Sequence, residues 1–103
     1  MSLVTNHIEL KRDMAVTHDE FYRLVRTTIS DAELINIDII NYMVDFPFEG
    51  GHISISLDEE QTRKLASLSI QHTPMKLIFN NITKNDIDAY LEKFDVSFHK
   101  GGG

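Results

Sequence analysis

The stretch Leu34-Ile35-Asn36-Ile37-Asp38-Ile39-Ile40-Asn41-Tyr42-Met43-Val44-Asp45-Phe46 decides the fold, because its apolar residues fit two different periods. Wound as a helix, it would be capped by Ser30 and Glu33, with Ile35, Ile39, Tyr42 or Met43, and Phe46 as its stripe. Laid out as a strand, it alternates Ile35, Ile37 and Ile39 with Asn36 and Asp38. Side chains branched at Cβ lose rotamer freedom against a helical turn and pack well on a pleated surface, and Asn36 and Asn41 are poor helix formers. The strand reading therefore wins. After Ile39 the apolar phase slips to Ile40, Tyr42, Val44 and Phe46, which calls for a bulge or a break into two strands.

On the C-terminal side, Pro47-Phe48-Glu49-Gly50-Gly51 has turn chemistry, and His52 to Leu57 alternates beyond it, so the two segments form a hairpin. Asp58 with Gln61 resembles an N-cap, and Glu59 with Arg63 and Glu60 with Lys64 are favourable i,i+4 pairs. These predict a helix to about Ser69, with Leu65, Ala66 and Leu68 inward. Met75 to Phe79 reads as a strand. Thr83 caps a further helix in which Ile87, Tyr90, Leu91 and Phe94 recur at helical spacing, and Val96 to His99 reads as a last strand.

On the N-terminal side, His7 to Val16 alternates with a period near two. Thr17 and Glu20 have capping-box spacing and open a helix to about Thr28, with Phe21, Leu24, Val25 and Ile29 on one face. The predicted order is β-α-β-β-α-β-α-β. This is a single α+β domain over residues 1–100, a ferredoxin-like-type mixed or antiparallel sheet with helices on one face and an extra C-terminal αβ unit, followed by a flexible glycine tail at 101–103.

A chain of 103 residues, 42% hydrophobic and 25% charged, has ordinary globular composition. Ten basic against sixteen acidic residues leave a net charge of −6, which repels phosphate backbones and anionic membrane surfaces. The absence of cysteine excludes disulfides, thiolate nucleophiles and Cys-ligated metals, and fits a cytoplasmic protein. No apolar run is long enough to cross a bilayer.

His7, His18, His52, His72 and His99 lack ligand spacing, so no metal site and no cofactor are expected. His52, Ser54 and Ser56 share a strand face, but side chains two apart lie roughly 7 Å from one another, too far for a base to activate a nucleophile directly. No catalytic residue is assigned. Arg12 falls in phase with Ile8, Leu10, Met14 and Val16, so it must either find a carboxylate or an anion or leave the core face. A bend at Arg12-Asp13 is the cheaper solution and is the expectation. Phe48, between Pro47 and Glu49, is a candidate partner anchor at a loop tip, and Arg12 is a second candidate contact.

The C-terminus Val96-Ser97-Phe98-His99-Lys100-Gly101-Gly102-Gly103 resembles the diglycine tails of small sulfur carriers and ubiquitin-like modifiers. That resemblance, confined to these residues, implies a carrier in which Gly102 and Gly103 thread into an activating enzyme and Gly103 reacts through its carboxylate. The leading expectation is a non-catalytic interaction module that acts on a protein partner or on itself, as a homodimer formed by strand-edge pairing. A carrier with a reactive C-terminal glycine, and a metal- or anion-binding domain, are the alternatives.

Overall fold

A computed structural model of the protein describes residues 7–102. Its elements, in order, are β1 (His7–Met14), α1 (His18–Val25) with a 3-10 turn Arg26–Thr28, a second 3-10 turn Ala32–Leu34, β2 (Asn36–Asp38), β3 (Met43–Phe48), β4 (Gly51–Leu57), β5 (Gln61–Leu65), β6 (Leu68–Asn80) and α2 (Lys84–Gly102). All strand pairings are antiparallel, and the main sheet has the order β1-β6-β4-β3-β2, with β5 added to the first half of β6. Among the described residues, six strands and two α-helices make this a small α+β domain.

Both helices cover one face of the sheet. Ile8, Leu10, Val44, Phe46, Ile53, Ile55, Leu57, Leu77 and Phe79 alternate toward that face and meet Phe21 and Val25 of α1 and Ile87, Tyr90, Phe94 and Phe98 of α2. The aromatic rings form the centre of the core, with Phe21 stacked on Phe98 at 5.1 Å and Phe94 against Phe98 at 4.5 Å between centroids. The polar end of Tyr90 is satisfied inside this core. Thr28 Oγ1 donates to the Val25 carbonyl at 2.6 Å, so Tyr90 must be the donor in its 2.9 Å bond to Thr28. Burial pushes the Tyr90 phenol far above its ordinary pKa.

The local signals act where expected. Thr17 and Glu20 form the reciprocal capping box that starts α1, with bonds of 3.2 and 2.8 Å, and the Thr83 side chain accepts the Asp86 amide ahead of α2. The decisive stretch breaks into two strands, β2 and β3, joined by a turn at residues 39–42. Glu49 and Gly50 both take positive φ, 48° and 79°, as a two-residue hairpin turn requires. At Gly51 a Cβ would strike the backbone oxygens of Asn80 and Asn81, so only glycine lets β4 start this close to the end of β6.

Three expectations need correction. The segment from Asp58 to Ser69 is not a helix but β5, a two-residue turn and the start of β6. Its helical signals were exposed pairs worth only about 0.2–0.5 kcal/mol each. In the fold Glu60 contacts His18 and Arg63 contacts Asp13, so neither acts within a helix. Second, Val96 to His99 is not a strand. The stripe Ile87, Tyr90, Leu91, Phe94 continues in phase to Phe98, which is buried, while Val96 is 64% exposed, so α2 runs on through Gly101 and Gly102. With these changes the predicted β-α-β-β-α-β-α-β order gives way to β-α-β-β-β-β-β-α.

Third, β1 does not bend at Arg12. It pairs with β6 continuously from His7 to Met14, and Arg12 stays in phase with the core face. The guanidinium reaches the rim of that face, where Nε lies 3.7 Å from Asp95 of α2 and Nη1 donates to the Lys11 carbonyl. The carboxylate that a continuous strand demanded is therefore supplied by the other helix.

Candidate functional site

The register of the longest hairpin locates the site. β4 pairs with β6 up to Leu57 opposite Met75, and β5 resumes with Gln61 opposite His72. Between these pairs Asp58, Glu59 and Glu60 face only Thr73 and Pro74, so one extra residue bulges out of an otherwise single ladder. Pro74 lacks an amide hydrogen, but its carbonyl accepts the Asp58 amide at 2.9 Å. Beyond the bulge the hairpin leaves the helix layer and projects as an arm, Gln61 to His72. The molecule is accordingly elongated, 58 × 23 × 22 Å.

Every residue of β5 is exposed, as are those of the turn and the first two of β6. Leu65 and Leu68 pair with each other next to the turn and are 53% and 64% exposed. Ala66 holds a positive φ of 56°, a strained conformation for a residue with a Cβ. Sequence reasoning put Leu65 and Leu68 on the inward face of a helix. The period of two in Leu68-Ser69-Ile70-Gln71-His72-Thr73 was the signal that would have placed them on a strand.

The base of the arm is fixed to the body on several sides. Buried Thr73 donates to the Val16 carbonyl at 2.7 Å. His72 Nδ1 donates to Asp13 at 2.7 Å, and the other oxygen of Asp13 lies 3.9 Å from Arg63. His18, the first residue of α1, donates through Nε2 to the Asp58 carbonyl at 2.7 Å and through its amide to Glu60 at 2.9 Å. Two of the histidines that invited a metal reading are thus hydrogen-bonded struts at the arm's root.

The β2–β3 turn leaves the sheet at the same end, since Met43 pairs with Ser56 and the Tyr42 carbonyl accepts the Leu57 amide. Ile39 and Ile40 there are 66% and 87% exposed. Asp38 holds the turn through both the amide and the side chain of Asn41, and these hydrogen bonds lower its pKa. Tyr42 packs on His18 at 4.6 Å between centroids. Beside them the Tyr22 hydroxyl is buried without a hydrogen-bond partner among the described residues; burial first, then nearby Tyr42, Asp19, Asp38 and Glu60, push its pKa up.

The other sequence candidates lie elsewhere. Phe48 is half-buried as the last residue of β3, with its ring edge-on to Tyr90 at 5.4 Å, and so folds back on the core instead of standing at a loop tip. Arg12 sits at the rim between β1 and α2. Gly102 is the last residue of α2, and Gly103 lies outside the described residues. His52 and Ser54 are linked on the open sheet face, but through Asp45 of β3, which accepts from both. The serine proton is directed at the carboxylate, not at the imidazole, so this is not a nucleophile–base pair. Ser56 stands one row further along. Among the described residues no group of three or more His, Cys, Asp or Glu side chains is placed to hold a metal ion, and no helix is long and apolar enough to cross a membrane.

The end of the sheet that carries the arm and the Ile39-Ile40 turn therefore presents four large apolar side chains, Ile39, Ile40, Leu65 and Leu68, to solvent. Comparison with known proteins finds no matching family model, no similar curated protein and no similar solved structure.

Proposed function

We propose that the protein is a non-catalytic interaction module whose contact element is the β5–β6 arm, docking its tip into an apolar, acid-lined groove of a partner protein. The observation that carries this reading is the pairing of exposed Leu65 and Leu68 at the end of a braced hairpin. A rigid anchor pays little ordering entropy on binding, and removing each half-exposed leucine from water contributes roughly 1–2 kcal/mol. The arm also differs in charge from the rest: Gln61 to His72 contains Arg63 and Lys64 and no acid, in a chain of net charge −6. An acidic groove is complementary to it.

Self-association by strand-edge pairing is the less favourable form of this reading. Edge strand β1 presents Glu9, Lys11, Arg12 and Asp13, and edge strand β2 has three residues, both of which discourage pairing. The outer edge of β5 is longer, but two copies joined there would bring Arg63 and Lys64 of each against the other. The favoured partner is thus a different, acid-bearing chain, and a cytoplasmic one would suit a cysteine-free module.

The test is affinity capture with the full chain, the double variant Leu65→Ser/Leu68→Ser, and a control, Val96→Ser, on the far helix. The reading expects a saturable protein partner held by wild type and by the control and lost by the double variant. Equal capture by all three, or no saturable partner for wild type, contradicts it.

A further inference from the structure

The open face of the sheet holds a second feature, at the root of the arm and away from its apolar tip. Lys11 of β1 lies directly opposite Lys76 of β6, and Lys76 lies directly opposite Ser56 of β4, so the three side chains form one row across three strands. Directly opposed residues have Cβ atoms about 4.5–5.5 Å apart, and like charges at that separation repel. Lys76 is partly compensated, with Nζ 3.6 Å from Glu9. The Lys11 ammonium has no ion-pair partner among the described residues, and the Ser56 hydroxyl and Asp58 carboxylate have no hydrogen-bond partner there.

A cavity of about 480 Å³ opens over this row, lined also by Asp13, Asp58 and Pro74. It lies where β4 parts from β6 at the bulge. Asp13 is already engaged by His72 and Arg63, which leaves Asp58 as the uncommitted acid. The lining thus offers two ammonium groups and a hydroxyl in one row and one uncommitted carboxylate, together with the Arg12 guanidinium, which is already paired with Asp95. Such a volume is that of a small-molecule site, typically about 300–1,000 Å³.

We propose that this cleft binds a small organic oxyanion, carboxylate or phosphoryl, through Lys11 Nζ, Lys76 Nζ and Ser56 Oγ, while Asp58 accepts from an ammonium or hydroxyl group on the same molecule. An oxyanion seated between the lysines replaces their repulsion with two charge-assisted hydrogen bonds. Asp58 and Glu9 at the margins disfavour polyanions, in keeping with a small ligand rather than a nucleic acid.

The experiment is an NMR titration of the ¹⁵N-labelled full chain with acetate, inorganic phosphate and phosphoserine, with sodium chloride at matched ionic strength as the reference. Saturable shifts are expected at the amides of Lys11, Ser56 and Lys76, with phosphoserine the tightest if the oxyanion is phosphoryl and acetate competitive with phosphate if it is a carboxylate. Lys11→Gln and Lys76→Gln, each checked for an unchanged denaturation midpoint, should weaken binding about tenfold or more. Asp58→Asn should remove the preference for phosphoserine over phosphate. Shifts reproduced by sodium chloride, no saturation with any probe, or binding unchanged in both lysine variants would overturn the site.

Discussion

One hairpin contains two regions that share a backbone ladder and little else. From Gly51 to Leu57 and from Met75 to Asn80, alternate side chains enter the core, and Ile53, Ile55, Leu77 and Phe79 are fully buried. From Gln61 to Leu65 and from Leu68 to His72 the same antiparallel pairing continues, with no side chain in the core cluster. The difference shows that strand pairing and core burial are separable. A two-stranded ribbon alone is marginally stable in water. Here the inner half supplies a preformed β6 on which β5 can register, and the clamp at Asp13, Val16 and His18 fixes the point of exit.

This contrast is most easily broken by truncating a leucine in each region. Leu77→Ala should cost about 2–5 kcal/mol in urea denaturation, while Leu68→Ala should change stability by less than about 0.5 kcal/mol. Comparable losses would mean that the arm belongs to the cooperative core. At the boundary, Thr73→Val strands the buried Val16 carbonyl and should cost about 1–3 kcal/mol.

Alkaline titration sharpens the same boundary from the inner side. Because burial raises the Tyr90 pKa, the folded state keeps its proton when the unfolded state loses it. The stabilisation from this group is complete below the unfolded value near pH 10 and is lost as pH rises from there through the higher folded value. Tyr90→Phe should flatten that fall in stability, measured by denaturant midpoint against pH; an unchanged slope would contradict it. The smallest effect belongs to the clamp: Asp13→Asn should lower global stability by no more than about 1 kcal/mol. It should nonetheless speed amide hydrogen exchange from Gln61 to Gln71 while leaving Ile53 to Leu57 unaltered.

The same contrast explains what could be read in advance. The inner region was legible because Ile53, Ile55 and Leu57, and Leu77 and Phe79, carry the period of a sheet with one buried face. Capping residues Thr17, Glu20 and Thr83, and the turn at Glu49-Gly50, mark boundaries by local chemistry that needs no tertiary context. The arm was illegible for the opposite reason. It buries nothing, so its leucines follow no core period, and Glu59, Glu60, Arg63 and Lys64 imitate an exposed helix whose weak pairs the continuation of β6 overrides. At the other end, two apolar points, Val96 and Phe98, suggested a strand, but only Phe98 belongs to the stripe. For Arg12 the sequence posed the right alternatives, while the choice depended on Asp95, a partner 83 positions away that only the fold brings near.

In the proposed function the arm is an outgrowth for contact, held by the core and not part of it. Replacing Thr62–Gln71 with an Asn-Gly turn, which joins the paired Gln61 and His72 in register, tests this most directly. The shortened protein should unfold cooperatively with stability within about 0.5 kcal/mol of the full chain and should no longer retain the partner. Loss of cooperative unfolding, or retention of the partner without the arm, would contradict it.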